Sequence, residues 1–201
     1  MKNIIIIATL LSINAWADTL ETNIQKPISF GITDKTGGTL GLKFTPPEED
    51  GWITKRSGAG VSLTKKGVTD DENKEIEGYI IRLDTSADPI SSYVSQIKRN
   101  IEKGYAGDSK FKIRTLEAMA DPANPLCARV HLILEDTKPV RTVSNDDKKW
   151  SEQYLLSCGF AKFKGMGVEL RYYDRYYDAN KDNQLAEKAN KIFESVVIDN
   201  K

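Results

Sequence analysis

The sequence predicts an α+β fold: a mainly antiparallel sheet flanked by helices, in a single compact domain. Three observations lead there. Strand-like segments follow one another in runs, two amphipathic helical stretches stand apart from them, and no linker or low-complexity stretch divides the chain. A parallel α/β fold would instead alternate strand and helix along its length.

The chain opens on a targeting pattern. Lys2 gives a positive start, Ile4 to Leu11 a short apolar run, and Ala15-Trp16-Ala17 a small-x-small cleavage signature. Residues 1–17 therefore read as a signal peptide, with the mature protein beginning at Asp18 and working in the periplasm or as a secreted protein. The apolar run falls far short of the roughly 20 residues a bilayer span needs, so no stable membrane anchor is expected. No Cys follows the run, which argues against a lipid-anchored lipoprotein. Of 201 residues, 29 are basic and 29 acidic, so losing Lys2 with the leader leaves a net charge of −1. Such a chain has no global field for nucleic acid, and none is expected as a partner.

Residues 18–38 are polar with scattered apolar positions and are expected to form a loosely structured segment before the 39–201 domain. Thr39 to Thr45 reads as a strand, the Pro46-Pro47-Glu48-Glu49-Asp50-Gly51 cluster breaks it, and extended pieces follow at Trp52-Ile53 and Val61 to Thr64. Glu75 to Asp84 carries the bulk of a further strand in Ile76, Tyr79, Ile80, Ile81 and Leu83. The clearest helix comes next. Asp88 is placed to cap it, Pro89 suits its first turn and Gly104 its end, while Ile90, Tyr93, Val94, Ile97 and Ile101 form one apolar stripe.

Phe111 to Leu116 alternates, with Phe111, Ile113 and Thr115 assigned to one side. In Cys127 to Asp136, Ala128, Val130, Leu132 and Leu134 face one way and Arg129, His131 and Ile133 the other. Trp150 to Phe163 is its natural partner. Placing Cys127 opposite Cys158 in antiparallel register sets Asp136 beside Lys149. Val168 to Tyr177 is a last long strand, and a helix from near Asp182 buries Leu185, Ala189, Ile192, Phe193 and Val196.

Cys127 and Cys158 are the two cysteines, and an exported protein meets an oxidising compartment. A structural disulfide is the leading reading over a redox pair or metal ligands, because thiol catalysis favours close cysteines at a helix start.

The most unusual segment is the doubled Arg171-Tyr172-Tyr173-Asp174-Arg175-Tyr176-Tyr177-Asp178. In a strand, Arg171, Tyr173, Arg175 and Tyr177 share one face, a candidate binding face for carboxylate, phosphate, sugar or base. Cross-strand packing of tyrosines on a partly exposed sheet explains the same residues. Other fragments carry less chemistry. Asp178, Asn180 and Asp182 resemble half a calcium loop, yet Asn183 stands where that loop needs Gly and Ala189 where it needs Glu. His131 is the lone histidine, about 13 Å along a strand from Glu135, and reads as non-catalytic. Ser57-Gly58-Ala59-Gly60 lacks the Lys-Ser/Thr of a phosphate loop and reads as a hairpin turn, and the chain has no Gly-x-Ser-x-Gly elbow. The acid clusters Glu48-Glu49-Asp50, Asp70-Asp71-Glu72 and Asp146-Asp147 fall in predicted loops as solvated charge. No metal site or cofactor is expected.

Phe44-Thr45-Pro46-Pro47 through Gly51-Trp52, then Gly60-Val61-Ser62-Leu63, is similar to the opening of PsbP-like domains. The helix from Pro89, the long strands and Ala189-Asn190-Lys191-Ile192-Phe193-Glu194-Ser195-Val196 extend the resemblance over about residues 39 to 198. It implies an antiparallel sheet flanked by helices and an accessory or protein-binding role, with no catalytic set to carry over.

The leading expectation is an exported, non-enzymatic binding protein acting on another envelope or secreted protein, as an inhibitor or immunity protein or as an assembly factor. A glycan or small-ligand binder using Arg171 to Tyr177 is the alternative, and a carboxylate hydrolase the third reading. Oligomeric state stays open.

Overall fold

The computed structural model describes residues 26–33, 38–57, 59–84, 86–140 and 147–200. The leader and its cleavage site lie outside the described residues. Within them the chain is a single α+β domain of ten strands in two antiparallel sheets with two helices.

The large sheet holds seven strands. In chain order they are β3 (Ile53–Ser57), β4 (Gly60–Lys66), β5 (Asn73–Arg82), β6 (Phe111–Ala120), β7 (Cys127–Asp136), β8 (Lys149–Gly159) and β9 (Met166–Tyr177). Their spatial order is β3-β4-β5-β9-β8-β7-β6, so the last strand in sequence lies at the centre. The small sheet has the order β1-β2-β10, from β1 (Ile28–Thr33), β2 (Thr39–Phe44) and β10 (Val197–Asn200). Helices α1 (Ile90–Tyr105) and α2 (Leu185–Glu194) complete the fold. Neither is long and apolar enough to cross a membrane.

The β7–β8 hairpin has the register the cysteines imply: Cys127 faces Cys158, joined as a disulfide, and Asp136 faces Lys149. Side chains alternate faces along every strand, so each face of the large sheet collects its own core. On one face, Tyr93 and Ile97 of α1 pack on Ala128, Val130, Leu132, Leu134 and Leu155. On the other, Val61, Leu63, Ile76, Leu156, Val168, Leu170 and Tyr172 meet the small sheet, Trp52 and the Leu185, Ala189, Ile192 and Phe193 side of α2.

Several sequence expectations need correction. Residues 18–38 are not loose throughout, because Ile28–Thr33 pairs with β2 and buries Ile28 and Phe30. Phe30 reaches the large sheet at Gly78, where a Cβ would fall 2.3 Å from its ring. β10 was not foreseen either; four residues after α2 complete the small sheet. Asp88 does not cap α1. Pro89 holds the cap position with extended backbone, and among the described residues no side-chain hydrogen bond caps the helix start. Gly104 lies inside α1, and Gly107, at φ 79°, takes the left-handed turn beyond it. In β6 a bulge between Ile113 and Thr115 moves Leu116 rather than Thr115 onto the apolar side, facing Leu132.

Two outcomes follow. Replacing both cysteines with Ala is expected to lower stability by roughly 3 to 4 kcal/mol, and the native protein to show no free thiol after non-reducing denaturation. Gly78→Ala is expected to cost about 1 to 3 kcal/mol in urea unfolding by lifting Phe30 off the sheet, whereas Gly104→Ala, with open space around it, costs nothing measurable.

Candidate functional site

The face of the large sheet that carries α1 is covered over only part of its width. The helix lies on β6 and β7, and among the described residues no helix lies over β4, β5 and β9 on this side. The doubled Arg-Tyr-Tyr-Asp occupies that uncovered half. Arg171, Tyr173, Arg175 and Tyr177 alternate onto one face of β9, facing Glu77, Glu75 and Asn73 of β5 on one side and Leu155, Gln153, Ser151 and Lys149 of β8 on the other.

The four do not present equivalent groups. Arg171 is partly exposed and its Nη2 donates to the Tyr79 hydroxyl at 3.1 Å, with Glu169 at 3.8 Å and Glu77 at 4.0 Å. Tyr173 is buried; its hydroxyl donates to Glu75 and the Arg175 guanidinium sits 5.2 Å from its ring centre. Arg175 is exposed. Tyr177 is 2% exposed, its hydroxyl donating to Asp71 at 2.8 Å and its ring lying under the Lys149 ammonium. Neither tyrosine offers a free ring face here, so the accessible chemistry belongs to the arginines and to carboxylates that sequence reasoning missed.

Those missed residues come from β4, β5 and the start of β9. Ser62 donates to Glu75 at 2.8 Å, and Tyr79 donates to Glu169 at 2.8 Å. Ser157 also donates to Glu169, at 3.2 Å, and pairs with the Tyr93 hydroxyl of α1 at 2.7 Å. One chain of hydrogen bonds thus runs from beneath α1 through Ser157, Glu169 and Tyr79 to Arg171. Burial, with Glu75 close by, pushes the Glu77 carboxyl up, and burial raises the Tyr93 hydroxyl to about 12. The alternation of Glu75, Glu77 and Tyr79 was visible in sequence, but their pairing with β9 was not.

The opposite face holds a separate charged cluster. Burial opposes charge on Glu152, yet hydrogen bonds from His131 (3.0 Å), Tyr176 (2.8 Å) and Tyr154 (3.0 Å), with Lys181 nearby, hold its carboxyl at about 2. His131 stacks on Tyr154 with ring centres 4.5 Å apart, and its hydrogen-bond partner across the strands is Glu152. Asp174, on the same face, is 3% exposed and its Oδ2 has no hydrogen-bond partner among the described residues. Burial raises this carboxyl to about 6; Lys74 at 3.8 Å pulls it down, while Asp182, Glu72 and Glu152 push it up. The calcium-like residues do not converge. Asp178 accepts from Trp150 at 2.6 Å, Asn180 donates to Glu72 at 2.9 Å, and Asp182 takes Lys74 and Lys188.

No protein-family model and no curated protein matches this chain. Among solved structures, the fold is similar to the crystal structure of LpqN, involved in cell envelope biogenesis of Mycobacterium tuberculosis. The two superpose with a TM-score of 0.50 at 12% identity, over 86% of this chain and 91% of LpqN.

The Asp174 environment gives a pH signature. Its carboxyl is raised above its ordinary 3.8, so the native state holds the proton that the unfolded state releases, and this residue's contribution to stability falls as pH rises from about 4 to 6. Asp174→Asn is expected to match the wild type in urea unfolding at pH 4 and exceed it by on the order of 2 kcal/mol at pH 7. A difference independent of pH would show that Asp174 carries no such penalty. Asp71 and Asp182, both held well below the carboxylate range against the pull of burial, work in the opposite direction and lose their contribution in acid.

Proposed function

We propose that this protein is an exported, non-enzymatic accessory protein of the cell envelope that binds a protein partner through the uncovered β4–β5–β9 face. The observation that carries the reading is the half-covered sheet, whose open half bears Arg171, Arg175 and Glu77 on a preset ladder of hydrogen bonds. Side chains held on strands rather than loops lose little entropy on docking, and a broad face suits a macromolecular surface. Two of the three carboxylates of this face already accept hydrogen bonds, and the third stands 4.0 Å from a guanidinium. Glu75 takes Ser62 and Tyr173, Glu169 takes Tyr79 and Ser157, and Glu77 lies near Arg171, which argues for recognition rather than acid–base chemistry.

Export rests on the leader pattern and agrees with the disulfide. The PsbP-like resemblance supports an accessory role, and the fold shared with a protein of envelope biogenesis is in keeping with it. Between inhibitor and assembly factor, the partner's identity decides.

Tagged protein, recovered after export and used to capture partners from its native envelope fraction, is expected to retain a stoichiometric protein that mass spectrometry identifies. The double substitution Arg175→Glu, Glu77→Lys alters two accessible tips and is expected to abolish that capture while circular dichroism and thermal unfolding stay unchanged. Equal capture by the folded variant, or no partner even after cross-linking, would overturn the assignment of this face.

A further inference from the structure

The outward side of the small sheet carries a feature that does not include Arg171, Arg175 or Glu77 of the open face of the large one. Register lays three rows across it: Ser29, Lys43 and Val197; Gly31, Gly41 and Asp199; and Thr33 with Thr39. The middle row is bare over two strands. A Cβ on Gly31 would fall 2.4 Å from the Leu40 carbonyl oxygen, and one on Gly41 would fall 2.5 Å from that of Phe30, so only glycine fits where these backbones approach. The result is a trough of about 570 Å³, bordered by Ser29, Thr33 and Thr39. Its size is that of a small-molecule site.

The two ends of the trough differ in charge. At the β10 end stands Asp199, whose Oδ1 is buried without a hydrogen-bond partner among the described residues. A carboxylate oxygen removed from water in this way is costly until a donor meets it. At the β1 end Arg56 arrives from β3 and its Nη1 donates to the Ser29 carbonyl at 2.8 Å, which fixes the guanidinium; its other nitrogens have no partner among the described residues. Lys43, on the row beside the bare floor, likewise has no carboxylate partner among the described residues. From β10 to β1 is two inter-strand spacings, roughly 10 Å. An extended peptide of three residues covers about the same distance.

We propose that this trough binds a short zwitterionic peptide, its ammonium end at Asp199 and its carboxylate end at Arg56. The guanidinium fork suits a carboxylate, with Lys43 adding positive charge. The glycine floor lets a ligand backbone lie against the strands, where side chains would hold it off. A neutral polyol would leave both terminal charges unanswered, and a simple anion would meet Asp199 at the far end.

The test is a titration of trialanine into isotope-labelled protein, followed by amide chemical shifts. Saturable shifts are expected at Gly31, Gly41 and Asp199. N-acetyl-trialanine amide, which lacks both end charges, is expected to produce none. Asp199→Asn and Arg56→Gln are each expected to weaken binding about tenfold or more, as loss of one charged contact should. Arg175→Glu is expected to leave the titration unchanged, which separates this site from the open face of the large sheet. Absence of any saturable shift at about 10 mM peptide, an affinity too weak to matter, would overturn the proposal. Equal binding of the capped peptide would do the same.

Discussion

The architecture depends on strand β9, which must be satisfied on both faces and both edges at once. It lies at the centre of the seven-stranded sheet, hydrogen-bonded to β5 and β8 over most of its length. Its Val168, Leu170 and Tyr172 are buried against the small sheet and the α2 side of the core. Its other face alternates Glu169, Arg171, Tyr173 and Arg175, which no apolar layer could accept unpaired. Leaving that stretch of sheet uncovered, and pairing its polar groups with β4, β5 and β8, meets the constraint.

The same constraint explains why the two layers are offset across the sheet. Helix α1 brings apolar side chains and goes where β6, β7 and β8 offer Leu116, Val130, Leu132 and Leu155. The small sheet goes where Gly78 admits Phe30 and where Val61, Leu63 and Ile76 complete the contact. Where the apolar cover of α2 gives way to Asp174, Glu152 and their neighbours, the sheet holds charge instead, and each carboxyl there settles according to its donors. Glu152, with three hydrogen bonds, stays ionised; Asp174, with an oxygen unpaired, holds its proton more tightly.

The two surfaces proposed for recognition differ in character. The open β4–β5–β9 face is broad; Glu75 and Glu169 accept from hydroxyls, Arg171 donates to Tyr79, and Arg175 lies exposed over the Tyr173 ring. The trough on the small sheet is narrow, with a glycine floor and opposite charges at its ends. Both are built on strands, so their geometry is set by sheet register rather than by loop conformation.

Much of the fold was legible in the chain. The period-2 runs located the strands of the large sheet, the apolar stripe of 90–101 located α1, and taking Cys127 as opposite Cys158 gave the β7–β8 register that the structure has, where a shift by one would turn every core side chain outward. The sharing of one face by Arg171, Tyr173, Arg175 and Tyr177 was also readable, since alternation is local. Tertiary structure alone decided what each of those groups touches. Tyr177 lies beneath Lys149 because β8 is its neighbour, Arg171 meets Tyr79 because β5 is, and a strand's own sequence does not name its neighbours. The small sheet was hidden for the same reason. Thr39 to Thr45 read as a strand, but residues 28–33 and 197–200 are short and polar on their outward side, and they become recognisable only when brought beside 39–44 over the core.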